Sequence, residues 1–333
     1  MSDAPLPEAA GHSLGAVFGE RRVLLNLAFR MLGSSYDAED VVQETYMRWY
    51  ALSEDDQRAI RSPMAWLVRV AGRICLDHLS SARVRRERYV GEWLPEPLPG
   101  SAGDAVGPAA AGADPADQIS LDESVTMGVL VVLDSVTPAE RVAFILHDIF
   151  GVPFTEIAET VGRSPAACRQ LATSARRRLR AAEPPAIRSS RHRDVVSAFK
   201  HACETGDLDT LVELLDANAT ATADGGGRVR TALRPVAGAD RIARLFLGVL
   251  RKEPGVSFRV EDVSGRPGLV GRMDGVTAAV VGIDLTEEGR IGRIWLMMHP
   301  DKLHAWRNRD GVQRDPGVSH IPRGMGHGGE GRS

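Results

Sequence analysis

Between residues 165 and 180, Cys168, Leu171, Ala175 and Leu179 share one side of a helix, leaving Arg169, Gln170, Thr173, Arg176, Arg177 and Arg180 on the other. Guanidinium and amide groups on an outward helix face bond phosphate oxygens and base edges. A helix entering a major groove uses its N-terminal part for bases and its flanks for phosphates. Arg169, Gln170 and Thr173 are therefore assigned to base reading, and Arg176, Arg177 and Arg180 to backbone contacts.

A second basic stripe lies about a hundred residues upstream, where Arg69 and Arg73 precede the cluster Arg83, Arg85, Arg86 and Arg88. Two separated basic sites imply two separated nucleic-acid contacts. The segment 37–49 is of opposite character, because its outward face carries Asp40, Gln43 and Glu44. Those groups repel phosphate, so a basic protein surface is the partner they suit, while Asp37 alone suits the start of a helix.

Other titratable residues do not assemble into a catalytic pattern. In the last third, Asp224, Asp284, His299, Asp301 and His304 show no pairing that would poise one of them for proton abstraction. The three cysteines, Cys75, Cys168 and Cys203, are far apart and set among apolar helical residues, which fits buried thiols rather than disulfides or a metal site. No cofactor is expected. The net charge of −3 decides nothing until it is resolved along the chain. Residues 1–10 lack the basic-then-apolar order of a secretory signal, and no apolar run reaches roughly 18 residues, so the expectation is a cytoplasmic protein without a membrane partner.

The 333 residues exceed one ordinary domain, and three folded units are expected. The first, residues 12–90, is helical: a helix from Leu14 to Gly33-Ser34-Ser35, a second capped by Asp37 and running through Trp49, and a third opened by Ser62-Pro63. Trp49 and Trp66 suit core packing better than base stacking. Residues 91–119 read as a Gly/Ala/Pro/Asp linker, except that Trp93-Leu94-Pro95-Glu96-Pro97 is stiff and carries an indole costly to leave in water, so it should dock. Helices resume near Ser120 over residues 120–183, with a capping box at Thr137-Pro138-Ala139-Glu140 and helix-turn-helix spacing around Gly162.

Residues 190–308 change texture. Two helices, the second through Leu208–Leu215, lead into strands at 219–223 and 228–232 joined across Asp224-Gly225-Gly226-Gly227. A helix at 240–250 and strands at 256–263, 269–273, 276–285 and 290–298 follow, with turns at Asp274-Gly275 and Glu288-Gly289. This predicts an α+β unit with an antiparallel curved sheet. The tail, 309–333, is expected to be disordered.

The run Tyr36-Asp37-Ala38-Glu39-Asp40-Val41-Val42-Gln43-Glu44-Thr45, followed by Ser62-Pro63-Met64-Ala65-Trp66-Leu67, resembles region 2 of the extracytoplasmic-function (ECF) sigma factors, and the pair 154–179 resembles their region 4. The resemblance spans residues 14–182. It implies that Asp40, Gln43 and Glu44 face the β′ clamp helices of core RNA polymerase, with further contact to the β subunit. It also implies that Arg69, Arg73 and the loop before Ser62 engage the −10 element of promoter DNA, to which Arg83, Arg85 and Arg86 are also assigned, and that the 169–180 face reads −35. Promoter opening then captures an unstacked base and needs no covalent chemistry.

Trp93-Leu94-Pro95-Glu96-Pro97 and His299-Pro300-Asp301-Lys302-Leu303 resemble motifs of the ECF subgroup with a C-terminal SnoaL-like (NTF2-like) domain, where asparagine usually stands in place of His299. That resemblance implies regulatory contacts among Trp93 to Pro97, Asp224, Gly225 and their glycine neighbours, and Pro300, Asp301, Lys302 and Leu303. It implies no dedicated anti-sigma factor. Two alternatives compete. A helix-turn-helix regulator with a small-molecule-sensing module does not require the acidic helix, and a cyclase or isomerase fused to DNA-binding helices requires a pocket with a buried carboxylate or histidine.

Overall fold

The computed structural model describes residues 14–86, 89–100, 126–182, 185 and 187–311. Its first unit holds α1 (Leu14–Leu32), α2 (Ser35–Tyr50), α3 (Glu54–Ala59) and α4 (Pro63–Arg86). Leu24, Leu25, Ala28 and Met31 are buried against Ala38, Val41 and Val42 of α2 and Leu67, Ala71, Ile74 and Cys75 of α4. Trp49 and Trp66 meet edge to face at 5.3 Å beside this core. The cap of α2 is Ser34, whose Oγ accepts from the Asp37 amide at 3.2 Å, so Asp37 is a first-turn acid instead of the cap. Helix α3 was not expected, because it buries no residue and so leaves no apolar period.

The second unit holds α5 (Met127–Ser135), α6 (Pro138–Phe144), one π turn (Ile145–Ile149), α7 (Phe154–Val161) and α8 (Pro165–Ala182). The capping box forms as expected, with Thr137 and Glu140 each bonding the other's backbone amide. The expected helix start near Ser120 and the rest of the linker beyond residue 100 lie outside the described residues. The two helical units share one core: Leu130, Val142, Ile145, Leu146 and Ile157 join the cluster of α1, α2 and α4. Arg141 fastens them, donating to the Met31 carbonyl at 2.6 Å and to Asp134 at 2.8 Å.

The third unit begins with α9 (Ser189–Thr205) and α10 (Leu208–Leu214), then β1 (Leu215–Asp224), β2 (Val236–Ala237) and α11 (Ala239–Lys252). Strands β3 (Val256–Val263), β4 (Arg266–Met273), β5 (Val276–Leu285) and β6 (Ile291–Met297) complete a sheet of order β2-β1-β6-β5-β4-β3. Three expectations change here. Leu215 opens β1 instead of closing a helix, and the strand expected at 228–232 is a turn and loop, β1 pairing with β2 instead. The sheet is mixed, because β1 runs parallel to β6. A helix and four strands separate those two, so no tight turn forces them antiparallel.

Period-2 alternation gives the sheet two buried faces. One packs Leu269, Val281, Ile283 and Ile294 on Phe199, Leu211, Ile242 and Phe246 of the helices. The other places Val270, Val280, Trp295 and Met297 against Leu94 of the linker, Met127 of α5, and Leu303 and Trp306. A 3₁₀ turn (Pro300–Lys302) and α12 (His304–Arg309) close the unit. Arg309 ends a helix, and Asp310 accepts from the Thr277 amide (2.8 Å) and Arg272 (2.9 Å), so structure continues past the expected start of the tail. Residues 312–333 lie outside the described residues.

Candidate nucleic-acid interface

Helix α7 buries Ile157, and Gly162 (φ 71°) turns the chain into α8, which buries Cys168, Ala172 and Ala175. A left-handed residue ending a short helix is most cheaply glycine. Ser164 caps α8, its Oγ accepting from the Ala167 amide at 3.2 Å. Burial pushes the Cys168 thiol pKa up, which suits packing and not reactivity. Arg169, Gln170, Thr173, Arg177 and Arg180 are exposed, and all but Arg180, together with Ser174, line an open concavity of about 320 Å³. Thr173 donates its hydroxyl to the Arg169 carbonyl at 2.8 Å, so towards a ligand it acts as an acceptor. Arg176 differs: it is half-buried and donates to Asp148 at 2.6 and 3.0 Å.

On α2, Asp40 and Gln43 are exposed and Glu44 is half-exposed, paired with Arg48 at 2.6 Å. The same stripe continues into Met47 and Tyr50, at 72% and 73% exposure. The helical spacing, Met47 at i+4 from Gln43 and i+3 from Glu44 and Tyr50 at i+3 from Met47, was available in the sequence, and only the exposure of such apolar groups was not.

Helix α4 turns Arg69 and Arg73 towards α7, leaving Arg69 half-buried and Arg73 exposed but tethered. Arg69 pairs with Glu156 at 3.5 Å and Glu159 at 3.8 Å, both on α7. Arg73 donates to the Thr160 carbonyl at 2.9 Å. The two arginines expected on DNA therefore lie against the helix-turn-helix unit. Arg83, Arg85 and Arg86 fall in the last turns of α4, but their side chains, like Arg88 altogether, lie outside the described residues.

The linker motif and the two C-terminal motifs meet at one point. Asp224, whose side chain is 0% exposed, accepts from the Tyr89 hydroxyl (2.6 Å) and Gly226 amide (2.9 Å) on one oxygen. Its other oxygen accepts from the Leu94 amide (2.9 Å) and Lys302 ammonium (2.7 Å). Lys302 also donates to the Leu94 carbonyl at 2.6 Å and lies 4.2 Å from the Trp93 ring centre. Burial and the Asp224 bond push the Tyr89 phenol pKa upward. Asp301 pairs with Arg228 at 3.0 Å, Pro300 opens the 3₁₀ turn, and Leu303 is buried. The Gly225 carbonyl accepts from Arg228 and Val229, closing the glycine turn.

From this point the linker runs between two units. Buried Glu96 accepts from the Ser35 amide (2.8 Å) and hydroxyl (3.0 Å) at the start of α2, and lies 3.3 Å from His304 of α12. Its own amide donates to the Gly33 carbonyl at 2.8 Å. Trp306 donates to the Pro97 carbonyl at 2.7 Å, and Leu98 and Ser264 exchange bonds at 3.1 and 2.8 Å. Pro95 and Pro97 are buried within this run. Tyr89, Ser264 and Trp306 were not singled out from the sequence, since each acts through bonds to a single residue in a distant segment. His299 takes a cap's place: its Nδ1 accepts from the Asp301 amide at 3.2 Å, a bond that an asparagine oxygen can also accept. Burial and Lys302 push its pKa down.

Asp284 is the buried carboxylate that an enzymatic reading would require. It accepts from the Trp295 indole at 3.1 Å, and Gly128 at the start of α5 lies directly over it. Burial raises its pKa. Among the described residues no group of three or more His, Cys, Asp or Glu is placed to hold a metal ion.

A basic recognition helix on one helical unit and an acidic helix face on the other define a sequence-reading DNA-binding factor with a protein partner. Residues 19–85 match the family profile Sigma-70 region 2, and residues 127–179 match Sigma-70, region 4. The chain is 37% identical over 299 residues to the ECF RNA polymerase sigma factor SigJ of Mycobacterium tuberculosis, covering 85% of this chain and 90% of that one. A probable ECF sigma factor of the same organism, SigI, is 37% identical over 290 residues, covering 86% and 93%. The crystal structure of SigJ superposes with a TM-score of 0.69 at 33% identity, over 88% of this chain and 99% of that one. The chain belongs to the ECF RNA polymerase sigma factors. Its third unit is the α+β arrangement expected of a SnoaL-like domain.

Proposed function

We propose that this sigma factor docks core RNA polymerase through the α2 stripe of Asp40, Gln43, Glu44, Met47 and Tyr50, and reads −35 through Arg169, Gln170, Thr173, Arg177 and Arg180. Arg69 and Arg73, with Arg83, Arg85 and Arg86 beyond them, take the −10 element once Arg69 and Arg73 are released from α7. The observation that carries the reading is that the α2 and α8 faces are open while Arg69 is paired with α7 and Arg73 is tethered to it by one hydrogen bond. Promoter elements about 25 base pairs apart span roughly 80 Å of duplex, which two units sharing one core do not bridge. The arrangement described is thus a resting one, and promoter use requires the units to part.

The SnoaL-like unit tunes that step. Its contacts through Asp224, Lys302 and Leu303 hold the segment from Trp93 to Pro97, and through Glu96 the start of α2, while Gly225, Pro300 and Asp301 shape the turns that carry them. Such a built-in latch takes the role that a separate anti-sigma protein has elsewhere, so none is required, and the chain acts in the cytoplasm, where core polymerase is. The latch and promoter reading require no catalysis by the third unit.

Run-off transcription with purified core polymerase and promoter-like templates tests this. The full chain should give specific transcripts, and Asp40→Ala/Glu44→Ala should lose them while keeping its fold. Tight duplex binding with no transcription would replace the sigma reading by that of an ordinary helix-turn-helix regulator.

A further inference from the structure

We infer that Asp148 is a positioning residue for the −35-reading helix, acting through Arg176. The inference rests on the assignment of α8 to −35. The helix begun at Pro138 does not end regularly: the Phe150 amide donates to the Ile145 carbonyl at 3.3 Å, five residues back, closing the π turn. A π turn widens the helix and so changes the direction of the side chains it carries, and such turns recur at functional sites. Two of the re-aimed groups touch the reading unit. The His147 ring lies 3.9 Å from the Phe154 ring, with Arg169 on the same phenyl group at 5.8 Å. Asp148 reaches Arg176.

The geometry of that pair leaves Arg176 ready for a ligand. Both Asp148 oxygens take one nitrogen, Nη2, at 2.6 and 3.0 Å. Among the described residues, Nε and Nη1 have no acceptor, so two donors of the planar fork stay available to a phosphate. Arg176 lies seven residues along α8 from Arg169, about 10 Å at 1.5 Å per residue, where a backbone contact would flank the bases that Arg169 reads. An arginine held in place beforehand loses less rotamer freedom on binding than a loose one.

The sign of one substitution separates this role from bulk electrostatics. Removing a carboxylate from a DNA-facing surface raises its positive potential and by itself tightens binding. Positioning demands the reverse. With reconstituted holoenzyme, Asp148→Ala should weaken promoter binding about five- to tenfold and flatten its log–log salt dependence by up to about one ion, with Asp148→Glu restoring part of the loss. In an Arg176→Ala background, Asp148→Ala should no longer weaken binding, leaving at most the electrostatic tightening. Unchanged or tighter binding by Asp148→Ala would overturn the inference, as would an equal loss in the Arg176→Ala background, which would mark a purely structural effect. A wild-type holoenzyme indifferent to the −35 sequence would overturn the assignment of α8 itself, and this inference with it.

Discussion

Replacing Asp224 by alanine removes the acceptor of four donors at once: Tyr89, Leu94, Gly226 and Lys302. Lys302, only 13% exposed at its side chain, loses the carboxylate bonded to it. Breaking a buried pair from one side costs about 3–5 kcal/mol. The Leu94 carbonyl and Trp93 ring still hold the ammonium, which places the cost at the lower end, about 3 kcal/mol. At 1.36 kcal/mol per decade this is roughly a 150-fold shift towards the undocked linker. Hydrogen exchange on the full chain reads it directly. The amides of Glu96 and Ser264 bond Gly33 and Leu98 and do not touch Asp224, so they report release of the whole segment. Their exchange should accelerate on the order of a hundredfold while amides within β5 keep their protection. Unchanged protection at Glu96 and Ser264 would refute the latch and leave Asp224 as a local turn residue. Lys302→Met provides a second arm, with a smaller acceleration because Asp224 keeps three donors.

Glu156→Gln/Glu159→Gln should leave the melting temperature nearly unchanged, since half-exposed pairs contribute about 0.2–1 kcal/mol, yet raise run-off from a −10-matched template about two- to fivefold by releasing Arg69; no rise would reject α7 as its cover. Gly128→Ala would put a Cβ 2.6 Å from a carboxylate oxygen of Asp284 that Trp295 holds, so calorimetry should show a loss of about 1–3 kcal/mol. By contrast, Gly248→Ala meets nothing within 4 Å and should gain up to about 1 kcal/mol of helix preference. Burial lowers the His192 pKa from 6.5 to about 4, so the unfolded chain binds the extra proton first. Its contribution, on the order of 3 kcal/mol, is present above pH 6.5 and is lost as pH falls towards about 4. Denaturant titrations across that window should therefore be flatter for His192→Gln than for the parent.

Helices carrying a cap and an apolar period were readable in advance. Thr137 and Glu140 state their box in four residues, and Ser164-Pro165 states the start of α8. Helix α3 was not readable, because its Ser53 cap and three acids enclose no buried residue. The loop after Asp224 misled for a related reason: the residues of 228–232 have strand preferences, but the Gly225 carbonyl captures the Arg228 and Val229 amides and bends the chain away. The parallel pairing of β1 with β6 is a long-range choice that alternation within either strand does not encode. At the candidate sites, residue types identified the outward faces of α2 and α8. The ion pairs of Arg69 and Arg176 and the bond from Arg73 to the Thr160 carbonyl depend on how separate helices pack, and no single segment contains them.

The latch also has a position in time. Leu94 and Lys302, joined at 2.6 Å, are 208 residues apart, and Pro97 and Trp306 are 209 apart. At a bacterial elongation rate of about 5–20 residues per second, the ribosome takes roughly 10–40 s to pass from one member of each pair to the other. During that interval both promoter-reading units have been synthesised while the residues that fasten the linker have not. If the proposed latch operates, each newly made molecule passes through a stage in which its helical units are present and unlatched, and it reaches the resting arrangement only after α12 leaves the exit tunnel.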